Sequence, residues 1–462
     1  MSLRSARIVA CLAVLAVGSG CAVIDPNRIV TRNFSSAGLP PHTPVPSPAG
    51  PLDAATREEA FDFVWQTVAD RYYDPKLNGV DWKAVGERWR PRVLGAADDK
   101  AFWDQLDRMT GELRDAHTRV ESPQRAEQIE KQQVVGLGFG FRLLADKLVV
   151  VSVNPESEAW WAGVRPGMTI ESIEGVPARA AYAKLLAESR DSSTDHAKHV
   201  AASRRLVGGD PGSSANLVFS RGDGTPLAAK LKRTAIANPP RVTHRRLPSG
   251  YGYVRLTAWS QNLEGAMIAA IAAHKDAPGL VIDLRGNGGG SAMMVRNVAR
   301  QLFPKDKEVL MGKTLTRTGK PIQLAFFDVI KLEQKLEGTG LYAGPVVVLA
   351  NRDSASASEA FSAAMQTQKR ATIVGETTCG CLLGYMGYAS VPGGGKLAYS
   401  EMGFAFPDGQ RVEGKGVVPD RPVDLSVADL LASRDRALET AEAILAAAPK
   451  PEAKKVAGSA AR

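Results

Sequence analysis

The sequence predicts a multidomain α/β protein, and three changes of pattern carry that reading. Apolar residues recur at helical spacing between Leu52 and about Arg114, alternate as in strands from Val134, and fall into a strand–helix alternation from Arg241 onward. At 462 residues the chain has room for two or three domains. Its 44% apolar and 23% charged residues describe an ordinary globular protein with ample material for a core. The formal charge is +9, but the Lys and Arg residues are scattered and no basic run is interleaved with aromatics. Nucleic-acid binding is therefore not expected, and the excess would suit an anionic envelope surface.

The N-terminus, MSLRSARIVACLAVLAVGSGC, places Arg4 and Arg7 before an apolar run from Ile8 to Val17, then small residues before Cys21. Residues 1–21 read as a secretory signal, too short to remain as a membrane-spanning helix. Gly-Ser-Gly-Cys resembles a bacterial lipobox, which implies lipidation of Cys21 and a membrane-anchored lipoprotein of the bacterial periplasm. The usual Leu of that motif is Gly18 here, so ordinary cleavage nearby stays open. Either route takes the protein out of the cytoplasm. Residues 22–52 form a Pro-rich linker, most clearly in NFSSAGLPPHTPVPSPAGPL.

Residues 53–130 read as a helical bundle. Phe61, Val64, Trp65 and Val68 keep the helical period, as do Trp82, Val85 and Trp89, and then Phe102, Leu106, Met109 and Leu113. Residues 131–240 read as a β domain with one helical stretch near 181–206. This segment resembles a PDZ domain. Gly136-Leu137-Gly138-Phe139 matches the loop that takes a peptide's terminal carboxylate on backbone N–H groups, and Ala162-Gly163-Val164-Arg165-Pro166-Gly167-Met168 matches the segment before a later strand. The resemblance implies recruitment of an extended peptide by strand addition. Residues 241–447 alternate strands and helices around a buried sheet, and residues 448–462 read as a disordered tail.

If Cys11 leaves with the signal and Cys21 is acylated, only Cys379 and Cys381 remain. A C-x-C pair has too few ligands for a structural zinc site, and no metal is expected. In an oxidising compartment the two could form a disulfide; two small buried residues is the alternative.

Two loops stand at predicted strand ends. Asp283-Leu284-Arg285-Gly286-Asn287-Gly288-Gly289-Gly290 precedes a helix, so its N–H groups can line a concavity suited to a developing oxyanion. It lacks the spacing and Lys of a P-loop and the spacing of a dinucleotide fingerprint. The second loop, Asn351 to Glu359, carries three serines on alternate positions. Ser356 with Glu359 has the form of a capping box, yet a strand-to-helix turn also suits a nucleophile.

Together these features resemble the carboxyl-terminal processing (tail-specific) serine proteases and their tricorn-like relatives, over roughly residues 55–430. The resemblance implies a ClpP/crotonase-like βα-repeat protease core that hydrolyses peptides or unfolded proteins without a cofactor. It implies Ser356 as nucleophile, with the N–H groups of Ala357 and of Gly288 or Gly289 as oxyanion donors. The lysine base of tail-specific members falls at Cys381, so that base is missing. Tricorn-like members take a histidine from an L-x-x-x-H-T motif, matched here by Leu113 to Thr118, and of six histidines only His117 has this context. Their orienting Glu corresponds to Glu413 in Glu413-Gly414-Lys415-Gly416-Val417-Val418-Pro419-Asp420, but the serine beside their histidine is Ala116. Either Glu413 reaches His117 or Asp115 serves, and a surface-turn carboxylate remains the plain reading of Glu413. Related cores that bind apolar ligands without hydrolysis supply the alternative: a catalytically silent ligand- or peptide-binding protein.

Overall fold

The computed structural model describes residues 50–448 apart from 132, 325–326 and 384–385. The signal segment with Cys21, the linker up to residue 49 and residues 449–462 lie outside the described residues. No helix among the described residues is long and apolar enough to cross a membrane.

Three helices, Ala54–Arg71, Trp82–Leu94 and Asp99–Gly111, begin the described chain. Each starts on an aspartate, Asp53, Asp81 and Asp98, whose carboxylate accepts an N–H of the first turn. The residues spaced for a helix are the ones that bury: Phe61, Val64, Val68, Val85, Leu106 and Met109. Leu52, assigned to the linker by composition, already lies in this core and donates its N–H to Asp99. The segment is not a closed bundle, however. Its core includes Val391, Leu397 and Tyr399 from far along the chain, and a short strand, Arg119–Glu121, pairs antiparallel with Gly395–Ser400. The helices are thus seated on strands supplied by the C-terminal half.

The main sheet of the β domain has six antiparallel strands: five in the spatial order Phe139–Leu144, Lys147–Val153, Thr169–Ile173, Ser214–Ser220 and Pro226–Lys232, with the short Val176–Pro177 paired to Thr169–Ile173. The first of these is an edge strand. The single helical stretch expected near 181–206 is two helices, Ala178–Glu188 and Asp195–Val207. Between them, Ser189, Asp191, Ser192, Ser193 and Thr194 offer the backbone competing side-chain hydrogen bonds, and Thr194 caps the second helix by accepting from Ala197 N–H at 3.2 Å.

In the core, six strands run in the order Val242–Arg246, Gly252–Leu256, Leu280–Asp283, Val346–Ala350, Ala371–Gly375 and Arg421–Pro422. All neighbours but the first pair are parallel. The central strand Val346–Ala350 is buried throughout, as its unbroken apolar run requires with both sheet faces covered. Because Leu280–Asp283 and Val346–Ala350 are parallel neighbours, the glycine loop and the serine loop emerge side by side at the carboxyl edge of the sheet. The β domain docks there. Arg142 of its edge strand pairs with Glu376 at 2.7 Å and with Asp353, while His196 Nε2 lies 3.2 Å from Asp353. Burial alone would raise the Asp353 carboxyl, but His196 and Arg142 hold it well below its usual range.

Candidate active site

The three alternate serines separate by environment. Ser354 is fully buried and donates its hydroxyl to Leu284 C=O at 2.9 Å, fastening the serine loop to the glycine loop. Ser358, also fully buried, accepts from Trp259 Nε1 and donates to Asn287 C=O, both at 2.9 Å. Ser356 alone of the three lines the open cleft. Its backbone sits at φ 53°, ψ −115°, a conformation that side chains resist and that the surroundings must hold.

Glu359 does much of that holding. Its carboxylate accepts four donors: Ser356 N–H at 2.9 Å, Cys381 N–H at 3.0 Å, Gly380 N–H at 2.7 Å and the Thr378 hydroxyl at 2.6 Å. Burial pushes the carboxyl up to about 7 against the pull of those donors. The S-x-x-E spacing signalled the contact to Ser356, but nothing local signalled the other three.

The glycine loop approaches closely enough to explain its composition. A Cβ on Gly289 (φ +107°) would stand 2.7 Å from Ser356 Cβ, and one on Gly290 (φ +137°) 2.2 Å from Trp259 O. The structure also divides the expected oxyanion donors. Gly289 N–H is taken by Asn287 Oδ1 at 3.0 Å, so Gly289 is corrected from a donor to a spacer. Gly288 is exposed on the cleft, and neither its N–H nor that of Ala357, at the helix N-terminus, has an acceptor among the described residues.

His117 lies on the loop after the third helix, 8% exposed, and lines the same cleft as Ser356. Asp115 shapes this loop: Oδ1 accepts His117 N–H at 2.7 Å, and Oδ2 accepts the hydroxyls of Thr118 at 2.5 Å and Ser400 at 2.8 Å. His117 Nδ1 is buried with no hydrogen-bond partner, and Asp115 Oδ1 is 3.9 Å away. Burial pushes the imidazole below its ordinary value, with Asp115 pulling it back. Glu413 is not a surface-turn carboxylate. Both of its oxygens are buried and make no hydrogen bond, and burial, with Asp115 nearby, holds the carboxyl well above its usual range. The Ser193 hydroxyl and Leu382 N–H are the polar neighbours that oppose this rise.

Residues 250–423 match Peptidase family S41, and residues 53–111 match the Tricorn protease C1 domain. The chain carries a peptidase S41 domain and a tricorn C1 domain. It is 27% identical over 396 residues to the chloroplastic C-terminal processing peptidase of Tetradesmus obliquus, covering 82% of this chain and 80% of that one. Among solved structures, the photosystem II D1 C-terminal processing protease superposes with a TM-score of 0.52 at 24% identity, over 82% of this chain and 96% of that one. Mature CPAF superposes with a TM-score of 0.62 at 14% identity, over 85% and 97%. These two likenesses show the mixed α/β multidomain fold.

This S41 peptidase is a serine-type hydrolase of peptide bonds, and its cleft suits a polymer. At about 4120 Å³ the cleft far exceeds the ~300–1,000 Å³ of small-molecule pockets. Among the described residues no cluster of His, Cys, Asp and Glu could hold a metal ion.

Cys379 and Cys381 are joined by a disulfide directly behind Ser356. Cys381 C=O accepts Ser356 N–H at 3.1 Å, and Cys379 N–H donates to Ser354 C=O at 3.0 Å. Mild reduction should loosen this turn without removing any proton-transfer group. Turnover is expected to fall roughly two- to tenfold, the equivalent of about 0.4–1.4 kcal/mol in the barrier. Equal rates with and without reductant, with two free thiols counted by mass, would eliminate a redox influence.

Proposed function

We propose that this S41 peptidase is an extracytoplasmic carboxyl-terminal processing endopeptidase working by Ser-His acyl transfer. Ser356 attacks the scissile carbonyl, His117 takes its proton and returns it to the leaving amine, and the N–H groups of Ala357 and Gly288 receive the oxyanion. Glu413, the counterpart of the family's orienting Glu, or Asp115, whose Oδ1 lies 3.9 Å from His117 Nδ1, orients the base. One observation carries the reading: a single serine on a strained turn lines the cleft with His117, while Cys381, where a lysine base would stand, is tied up in a disulfide.

Residues 131–240 act in this reading as a PDZ-like recruiter of peptide or unfolded-protein ends. Phe139–Leu144 is an edge strand with unpaired backbone groups, and Gly136, Leu137, Gly138 and Phe139 line the same cleft as Ser356. The location rests on the signal-like residues 1–21 and on the disulfide, which persists in oxidising compartments; lipidation at Cys21 would add the anchor.

A fluorophosphonate probe tests the chemistry. Labelling of the wild-type protein, absent in Ser356→Ala, is the expected result. A folded protein that takes no label under any condition would favour a silent binding protein instead.

A further inference from the structure

The loop that carries His117 is gripped from outside its own element. Asp115, Ala116, His117 and Thr118 follow the third helix, and the break between the two helices of the β domain packs against them. Arg190 of that break sets one nitrogen between two carbonyls: Nη2 donates to Asp115 C=O and to Thr118 C=O, both at 2.8 Å. Nη2 carries two hydrogens, so one corner of the guanidinium serves both acceptors at once and brackets His117. Ser193 Oγ adds a bond from Ala116 N–H at 2.8 Å. The approach is close: a Cβ on Gly111, the last residue of the third helix, would stand 3.0 Å from Arg190 Cβ and from Asp191 N and O. Arg190 is also a buried cation, with 11% of its side chain exposed. Burying a guanidinium is costly, and an arginine kept for an ion pair alone would turn its donors onto the carboxylate. Its ionic partner, Asp107 Oδ1, instead stands 3.8 Å from Nε and accepts Val120 N–H at 2.9 Å, while Nε makes no hydrogen bond. The short contacts go to the His117 loop.

We infer that Arg190 is a positioning residue for the base: its guanidinium clips the two carbonyls that bracket His117 and so fixes the loop that carries the imidazole. Inside the loop, the Asp115 carboxylate holds the backbone N–H of His117 and the hydroxyls of Thr118 and Ser400. Those bonds shape the turn but leave the carbonyls of Asp115 and Thr118 to Arg190. Removing the clip strands both carbonyls and frees the turn to widen, which moves the imidazole even though no group that bonds to it has changed. The same cation lies near enough to the ring to act on it electrostatically. The inference rests on the Ser-His reading and adds a residue that acts through the backbone of the base.

The groups facing His117 set the sign of the test. Asp115 on its own loop favours the imidazolium, while Arg119 on the next strand and Arg190 on the β-domain break oppose it. Asp107 of the third helix lies against Arg190, Glu121 lies against Arg119, and burial holds the Glu413 carboxyl above its usual range. Loss of the Arg190 charge should therefore move the acid-limb midpoint up. The pH dependence of kcat and kcat/KM is measured on one peptide for the wild type, Arg190→Ala, Arg190→Gln, Arg190→Lys and His117→Ala, with melting curves as a check on folding. In Arg190→Ala we expect kcat on the plateau to fall roughly 10- to 100-fold, part of the ~10²–10⁴-fold that a positioned base contributes. KM should stay within about twofold of the wild type, since no substrate-binding group is removed. Arg190→Gln, uncharged and too short to reach both carbonyls, should show the same upward midpoint. Arg190→Lys keeps the cation, so its midpoint should stay near the wild-type one, with kcat recovering to roughly 3- to 10-fold below wild type because an ammonium lacks the guanidinium fork. A rate loss with an unmoved midpoint in Arg190→Ala and Arg190→Gln would show an arginine that merely stabilises the fold, and would overturn the inference. So would a folded Arg190→Ala with wild-type kcat and midpoint. In either case an inactive His117→Ala leaves the Ser-His reading standing, whereas an active His117→Ala removes both. If Arg190→Ala does not fold, Arg190→Gln decides by its midpoint; if neither folds, a wild-type kcat in Arg190→Lys overturns the inference.

Discussion

Ser356→Ala and His117→Ala are each expected to abolish nearly all peptide hydrolysis, by on the order of 10³–10⁶-fold, with the fold intact. Ser356 sits at the mouth of the glycine loop and His117 is held by Asp115, so each truncation removes a reacting group and leaves its surroundings standing. Because the two act as one unit, the double variant should lose little more than either alone. Cys381→Ala, which breaks the same disulfide, should lose no more than the roughly two- to tenfold expected on reduction. The pH profile carries the same test. Only the neutral imidazole accepts the serine proton, so activity is full above the His117 midpoint and lost as pH falls through it. The ordinary imidazole value of about 6.5 is the starting point, and burial pushes His117 below it. The acid limb should therefore lie below 6.5. A rise centred well above neutrality, or near-normal turnover in a folded His117→Ala, would mean another group is the base.

Glu359→Ala should be the most destabilising single substitution near the site. It strands four donors, the N–H groups of Ser356, Gly380 and Cys381 and the hydroxyl of Thr378. Each unsatisfied buried donor costs about 1–3 kcal/mol. Relief of the burial that raises this carboxyl to about 7 returns part of that, so a net loss of about 3 kcal/mol is expected. Turnover should fall too, since the strained Ser356 turn loses its tether. Glu359→Gln should fall between, because its NH₂ would face two donors where the carboxylate has an acceptor. The measurement is a denaturant titration beside a rate assay. A midpoint shifted by less than about 0.5 kcal/mol-equivalent, with unchanged turnover, would show that the loop is held by other contacts.

Much of this site was legible in the chain because its signals are local. The DLRGNGGG loop, the alternate serines and the H-T pair each declare themselves within eight residues, and the apolar run Val346–Ala350 could only be a buried strand. Three further features come from long-range contacts. Gly289 became a spacer because Asn287 folds back onto its N–H. Glu413 left the surface because its loop is tied back onto the 378–380 segment by the Thr378–Val417 and Gly380–Gly414 hydrogen bonds, which buries a carboxylate that composition alone places in water. The break at Ser189–Thr194 was unreadable, since a serine-rich helix and a capped break differ only in which hydrogen bonds are made.

By itself, then, the sequence indicated the order of helical, strand-rich and alternating segments, the serine loop and the glycine loop, and the histidine proposed as the base. Those depend on residue type and spacing within one turn or one strand. The tertiary structure decided which of three serines lines the cleft, which glycine keeps a free N–H, and what surrounds the base. Each of those outcomes depends on pairs such as Asp115 with Ser400 or Ala116 with Ser193, between residues tens to hundreds of positions apart. Whether such groups meet is set by sheet register and domain docking, which no local pattern encodes.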